Sequence, residues 1–96
     1  MKNELLNLMN VGKATLKDFE LLGVNSISQL AKCSPDDLYI ELQIKTGCKH
    51  DPCVWDVFAA AIHEAKTGEK QKWWEWTKVR KQRQSRGEFV TDILGK

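Results

Sequence analysis

Asn10-Val11-Gly12-Lys13-Ala14 lies between two apolar segments and is too short for a loose loop. Gly12 has no Cβ, so it permits positive φ and lets another backbone or a ligand come close. Asn10 is the next best residue type for a left-handed position. A helix beginning directly after Gly12 presents the unpaired N–H groups of Lys13, Ala14 and Thr15. Those donors, the positive end of the helix dipole and the charges of Lys13 and Lys17 suit a phosphate. The same residues also suit a plain turn that lets two helices pack.

Cys48, His50 and Cys53 fall within six residues, and Cys33 or His63 can supply a further ligand. Zinc takes Cys and His in tetrahedral sets, a pattern that Cys48-x4-Cys53 with an interposed His meets only loosely. No second ligand pair has matching spacing, so no metal is expected. The simpler expectation is that Asp51 and Pro52 start a helix, Cys53 packs as a small apolar residue and His50 hydrogen-bonds locally. A position in a helix first turn lowers a thiol pKa, but Asp51 opposes that at Cys53. No paired-carboxylate or Ser-His-Asp cluster is visible, and Asp36-Asp37 reads as helix-cap charge. The expectation is a protein that binds rather than catalyses and carries no cofactor.

Three tryptophans, Trp73, Trp74 and Trp76, occupy four positions near the C-terminus. At helical spacing Trp73, Trp76, Thr77 and Arg80 share one face, which predicts that Trp73 and Trp76 close the core over Val57, Phe58 and Ile62. Trp74 points away among Lys70, Lys72, Lys78, Lys81 and Arg83, where an exposed indole can stack on an unpaired base. A membrane surface or a partner helix would also use such a residue. Lys78 to Arg86 lacks the sustained apolar face of a membrane-surface helix.

The elements that must hold these residues are all helical. Leu5, Leu6 and Met9 predict one apolar stripe on a short first helix. Leu16, Phe19 and Leu22 continue the pattern over residues 13–22, with Gly23 where a helix C′ residue belongs. Ser26 and Gln29 fit a capping box. Ser34-Pro35-Asp36-Asp37 predicts the start of a helix that runs to about Thr46 and ends at Gly47. Asp51-Pro52 opens the next, whose apolar stripe is Val54, Val57, Phe58, Ala61, Ile62 and Ala65 and whose end is Gly68. A last helix is predicted from Gln71 to about Gln84. Phe89 to Leu94 reads as a frayed turn, a docking tail or a short strand. The predicted architecture is an all-α, compact bundle of five to six short helices over residues 1–84, followed by a basic and apolar tail over residues 85–96.

Ninety-six residues with 42% hydrophobic and 29% charged content suit one small globular domain and exclude large nucleotide-binding folds. The net charge of +2 is unevenly spread. Residues 1–65 carry six lysines against nine acids, whereas residues 66–96 carry nine basic residues against four acids. Attraction to an acidic partner is therefore expected from the C-terminal third. No segment has the length of a membrane span or the apolar run of a signal peptide, and the three cysteines are odd in number. A cytoplasmic location with reduced thiols and no membrane partner is expected.

The pattern from Leu8 to Leu22, followed by Gly23-Val24 and Ser26-Ile27-Ser28-Gln29-Leu30, resembles the helix-hairpin-helix DNA-binding modules. Their hairpin commonly reads glycine, an apolar residue, glycine, and Asn10 stands where the first glycine is common. Gly47-Cys48-Lys49-His50-Asp51-Pro52-Cys53-Val54-Trp55-Asp56-Val57-Phe58, with Trp73-Trp74 following, is similar to the small bacterial "pathogenicity locus" family of such proteins. The resemblance spans roughly Leu5 to Lys81 and implies a helical, DNA-binding-like fold containing an N-terminal helix-hairpin-helix unit. It implies no particular activity.

The expected function is weak, largely sequence-independent binding of DNA through backbone phosphates. Asn10, Val11, Gly12, Lys13, Ala14 and Lys17 would form the hairpin contact. Trp74, Lys78, Arg80, Lys81 and Arg83 would extend it along the last helix. The alternative is a protein-interaction module that keeps the scaffold without the DNA contacts; the acidic body and Asn10 favour it. Neither reading fixes an oligomeric state.

Overall fold

Several helix boundaries can be traced to a local hydrogen bond. The computed structural model describes residues 4–87, and within them the chain forms five α-helices and two short 3-10 turns. They are α1 (Lys13–Leu21), α2 (Ile27–Ala31), α3 (Pro35–Thr46), α4 (Cys53–Thr67) and α5 (Thr77–Ser85), with 3-10 turns at Glu4–Asn7 and Trp73–Glu75. The all-α class expected from the sequence is the class observed. Phe89–Leu94 and most of the expected tail lie outside the described residues.

α1 ends in a Schellman arrangement. Gly23 N donates to Glu20 O and Val24 N to Phe19 O, with Gly23 at φ +79°. Ser26 caps α2 by accepting from Gln29 N at 3.1 Å, while the Gln29 side chain accepts from Asn25 N instead of closing the box on Ser26. Ser34 and Pro35 open α3, and Gly47 closes it in the left-handed conformation. Asp51 accepts from Cys53 N at 2.8 Å at the start of α4, and Gly68 closes that helix in the same left-handed way as Gly47.

α4 is the central helix, packed against α2, α3, the second 3-10 turn and α5. It is not one-sided as its apolar stripe predicts. Trp55, Asp56, Phe58, Ala59, Ala60, Ala61, Ile62 and Glu64 are all buried, because neighbours surround it and the alanine run permits close approach. Phe58 meets Phe19 of α1 with ring centroids 5.3 Å apart. Around that pair lie Leu5, Leu8, Val11, Val24, Leu30, Leu38, Leu42 and Ile62. A smaller cluster of Tyr39, Trp55 and Ala59 lies beside it, partly covered by Trp76.

The N-terminal segment differs from its expected helix. It is a 3-10 turn, so residues three apart share a face: Leu5 and Leu8 are buried, while Leu6 and Met9 are exposed. The last predicted helix is divided. Residues 73–75 form the second 3-10 turn, and α5 begins only after Trp76.

α5 has a single aliphatic residue, Val79, which faces solvent. Polar contacts hold this helix instead. Arg80 donates from Nε to Asp56 Oδ1 at 2.8 Å and from Nη2 to Asp56 Oδ2 at 3.1 Å. Thr77 Oγ1 donates to the same carboxylate at 2.7 Å. One turn further on, Arg83 makes a two-pronged pair with Asp36, at 2.9 and 2.8 Å. Asp36 also accepts from Trp55 Nε1 at 2.8 Å, and the Arg83 guanidinium lies 5.5 Å from the Trp55 ring centroid.

Candidate nucleic-acid interface

Val11 anchors the hairpin from below. Its side chain is in the core, so it does not face a ligand, and its N–H donates to Leu8 O at 3.2 Å. Gly12 is the N-cap of α1 at φ −103° and ψ −169°, an extended conformation open to any residue, so the expected positive φ is not used. A Cβ there would meet nothing within 4 Å. Gly12 is exposed and provides no side-chain cap. The first-turn N–H groups of α1 have no intrahelical acceptor, and Lys13, Ala14 and Lys17 beside them are exposed.

Asn10 does not adopt the left-handed conformation either, since no described non-glycine residue has positive φ. It acts as a fastener. Asn10 Nδ2 donates to Gln71 O at 2.6 Å, and Asn10 Oδ1 accepts from Trp73 N at 3.0 Å. A second tie lies next to it: the buried Glu64 carboxylate accepts from Met9 N at 2.9 Å and from Lys70 Nζ at 3.0 Å. Hairpin and tryptophan segment, some sixty residues apart in sequence, thus form one surface. Sequence spacing gives no sign of this pairing, because an Asn in a turn reads equally well as a turn former.

Trp74 stands on that surface, 53% exposed. Its ring meets Trp73 in a T-shaped contact at 5.6 Å between centroids, and Lys72 Nζ lies 5.3 Å from its centroid. The core role expected for Trp73 and Trp76 is met only in part. Both are half-buried, and Trp76 packs on the smaller cluster and against the His63 ring at 5.6 Å.

The basic residues of α5 divide into two sets. Lys78 and Lys81 are exposed. Arg80 is 7% exposed and Arg83 half-buried, and their guanidiniums are engaged by Asp56 and Asp36. Neither arginine stands free on the surface as the charge count alone suggests. The Arg83 and Trp55 hydrogen bonds hold the Asp36 carboxyl below the usual aspartate pKa, and the Asp56 hydrogen bonds raise that of Arg80.

Cys48 and His50 approach each other, with Sγ 3.9 Å from Nε2. The same His50 nitrogen is 2.8 Å from Thr46 Oγ1, and the His50 carbonyl accepts from Tyr39 Oη at 2.6 Å. Cys53 is turned toward Asp51, whose hydrogen bond raises the thiol pKa above its ordinary value. Burial does the same to Cys33, reinforced by Asp37 and Glu41. No group of three His, Cys, Asp or Glu side chains converges on a metal position among the described residues. No helix there is long and apolar enough to cross a membrane.

Taken together, the described residues form a small all-helical domain in which the turn at residues 10–12 and the tryptophan turn lie side by side. The chain belongs to the pathogenicity locus family, whose model matches residues 1–82. It is 33% identical over 79 residues to the mitomycin resistance protein McrB of Streptomyces lavendulae, an alignment covering 82% of this chain and 75% of that one. No solved structure matches the chain.

Proposed function

We propose that this protein is a helix-hairpin-helix nucleic-acid binder that holds backbone phosphates at the start of α1 and does no catalysis. The observation carrying this reading is the uncapped first turn of α1 beneath Gly12, open to solvent and flanked by Lys13 and Lys17. Lys72, Lys78 and Lys81 add long-range attraction to a polyanion, while Arg80 and Arg83 serve the fold. Among the described residues no set of side chains is arranged to read base edges, so binding is independent of sequence and strongly salt-dependent. A cytoplasmic setting, where the three cysteines stay free, agrees with this reading.

Leu6 and Met9, exposed at the hairpin, favour a second reading in which the same scaffold docks a protein. One titration separates the two. A labelled mixed-sequence DNA duplex is followed by fluorescence anisotropy at low and moderate salt, with the natural chain and with the Lys13→Glu, Lys17→Glu double variant. Phosphate binding predicts affinity that falls steeply with salt and is lost in the variant. Binding equal in both proteins removes the hairpin from the interface, and no binding at low salt leaves the protein-docking reading.

A further inference from the structure

Trp74 carries an inference that rests on the phosphate reading and goes one step beyond it. We infer that the interface prefers single-stranded nucleic acid, with an unpaired base stacked on Trp74 while the neighbouring phosphates lie toward Lys72 and the hairpin.

The four tryptophans are treated very differently by the fold. Trp55 is buried, and Trp73 and Trp76 are half-buried, whereas Trp74 leaves more than half its surface in water. The backbone that carries this exposed indole is nevertheless firmly held. Its 3-10 turn is closed by the Trp76 N to Trp73 O bond at 3.0 Å and by Glu75, whose carboxylate accepts from Lys72 N at 2.9 Å. The two Asn10 hydrogen bonds fix the preceding backbone, and the Trp73 ring braces the Trp74 ring. Little backbone entropy is left to lose when a flat ligand stacks on the ring.

The surroundings select the ligand. Lys72 lies against the indole, and Glu75 and Lys78, close to it in sequence, are exposed, so an apolar membrane surface would strand charge beside it. A polyanion with aromatic bases matches both features. Lys72 meets a phosphate next to the stacked base, and its contact with the indole is the weak, water-exposed kind that is readily exchanged. In a duplex each base is already stacked and paired, and its π-face is closed to a side chain. An unpaired base has a free face, and stacking on an aromatic ring is worth roughly a factor of five to one hundred in affinity per base.

The test uses anisotropy titrations of the full chain with labelled oligothymidylate and with a duplex of equal length, on the natural chain and the Trp74→Ala and Trp74→Tyr variants. Trp74 is exposed, so both variants keep the fold, which far-UV circular dichroism checks. The natural chain should bind the single strand about tenfold more tightly than the duplex. Trp74→Ala should reduce single-strand affinity to the duplex value without changing duplex binding, and Trp74→Tyr should restore most of the difference. Duplex binding that persists with no single-strand preference, or with a preference that Trp74→Ala leaves intact, overturns the stacking inference while the phosphate reading stands. Failure of both oligonucleotides to bind at low salt overturns both.

Discussion

Asp56 is the residue whose loss should cost the fold most for the fewest atoms changed. Its side chain is 0% exposed and its partner Arg80 only 8%, so Asp56→Asn leaves a guanidinium buried beside a neutral amide. Removing one member of a buried pair costs about 3–5 kcal/mol, mainly from the uncompensated charge. The Asp36–Arg83 pair is over a quarter exposed on both sides, and water screens what Asp36→Asn leaves behind, at about 1–2 kcal/mol. Small domains have about 5–15 kcal/mol in total, and each kcal/mol is worth about 4–8 °C of Tm at this size. Asp56→Asn should therefore lower Tm by about 12–40 °C, and Asp36→Asn by about 4–16 °C.

α5 gives the first variant a way to fail locally. With Val79 in solvent, the helix has little apolar surface to keep it docked, so undocking rehydrates Arg80 before the core opens. Urea titrations followed by circular dichroism at 222 nm and by tryptophan emission should then separate into two transitions for Asp56→Asn alone. An Asp56→Leu, Arg80→Met double variant, which removes both charges and fills the volume, should recover most of the loss. The reasoning is refuted if Asp56→Asn is no more destabilised than Asp36→Asn, or if the double variant is as weak as the single one.

Two further outcomes follow from the same geometry. Because Asp36 is held below its usual pKa, its contribution is complete above the ordinary aspartate range near pH 4 and disappears as pH falls through its lowered folded value. Stability measured against pH should fall more steeply below pH 4 in the natural chain than in Asp36→Asn; equal slopes would remove the pair from the acid transition. Thiol labelling at neutral pH, read by mass spectrometry, should reach the exposed Cys48 first and Cys33 and Cys53 later, since the thiolate form of both is disfavoured. Faster labelling of Cys53 would contradict the Asp51 contact.

Local chemistry made much of the fold readable. Gly23, Gly47 and Gly68, Ser26, Ser34 and Asp51 each act within a few residues, so the C-terminal ends of α1, α3 and α4 and the starts of α2, α3 and α4 follow from the sequence. Period alone misplaces what depends on distant neighbours. A one-sided α4 is expected from its own pattern, but packing on several sides buries it nearly all round. The 3-10 turn at Glu4–Asn7 exchanges Leu6 and Met9 for Leu8 as core residues, a change that helical spacing does not reveal.

The candidate site shows the same division. Gly12 precedes α1 directly, and Lys13 and Lys17 are exposed on its first turns, as a helix beginning after Gly12 implies. Gly12 is nonetheless extended and does not use the positive φ expected of it. Arg80 and Arg83 read as free positive charge, yet their acceptors lie 24 and 47 residues upstream on other helices. The Asn10 bridge to Gln71 and Trp73 is equally nonlocal, and it is this bridge that brings Trp74 to the hairpin.

Backbone amide mapping tests the central claim most directly. With the chain labelled with nitrogen-15, heteronuclear correlation spectra are recorded as a short oligonucleotide is added at low salt. The largest shifts should fall on the amides of Gly12, Lys13 and Ala14 and on the Trp74 indole, and they should fade with added salt. Shifts concentrated away from the hairpin, or none at saturating oligonucleotide, would contradict that claim.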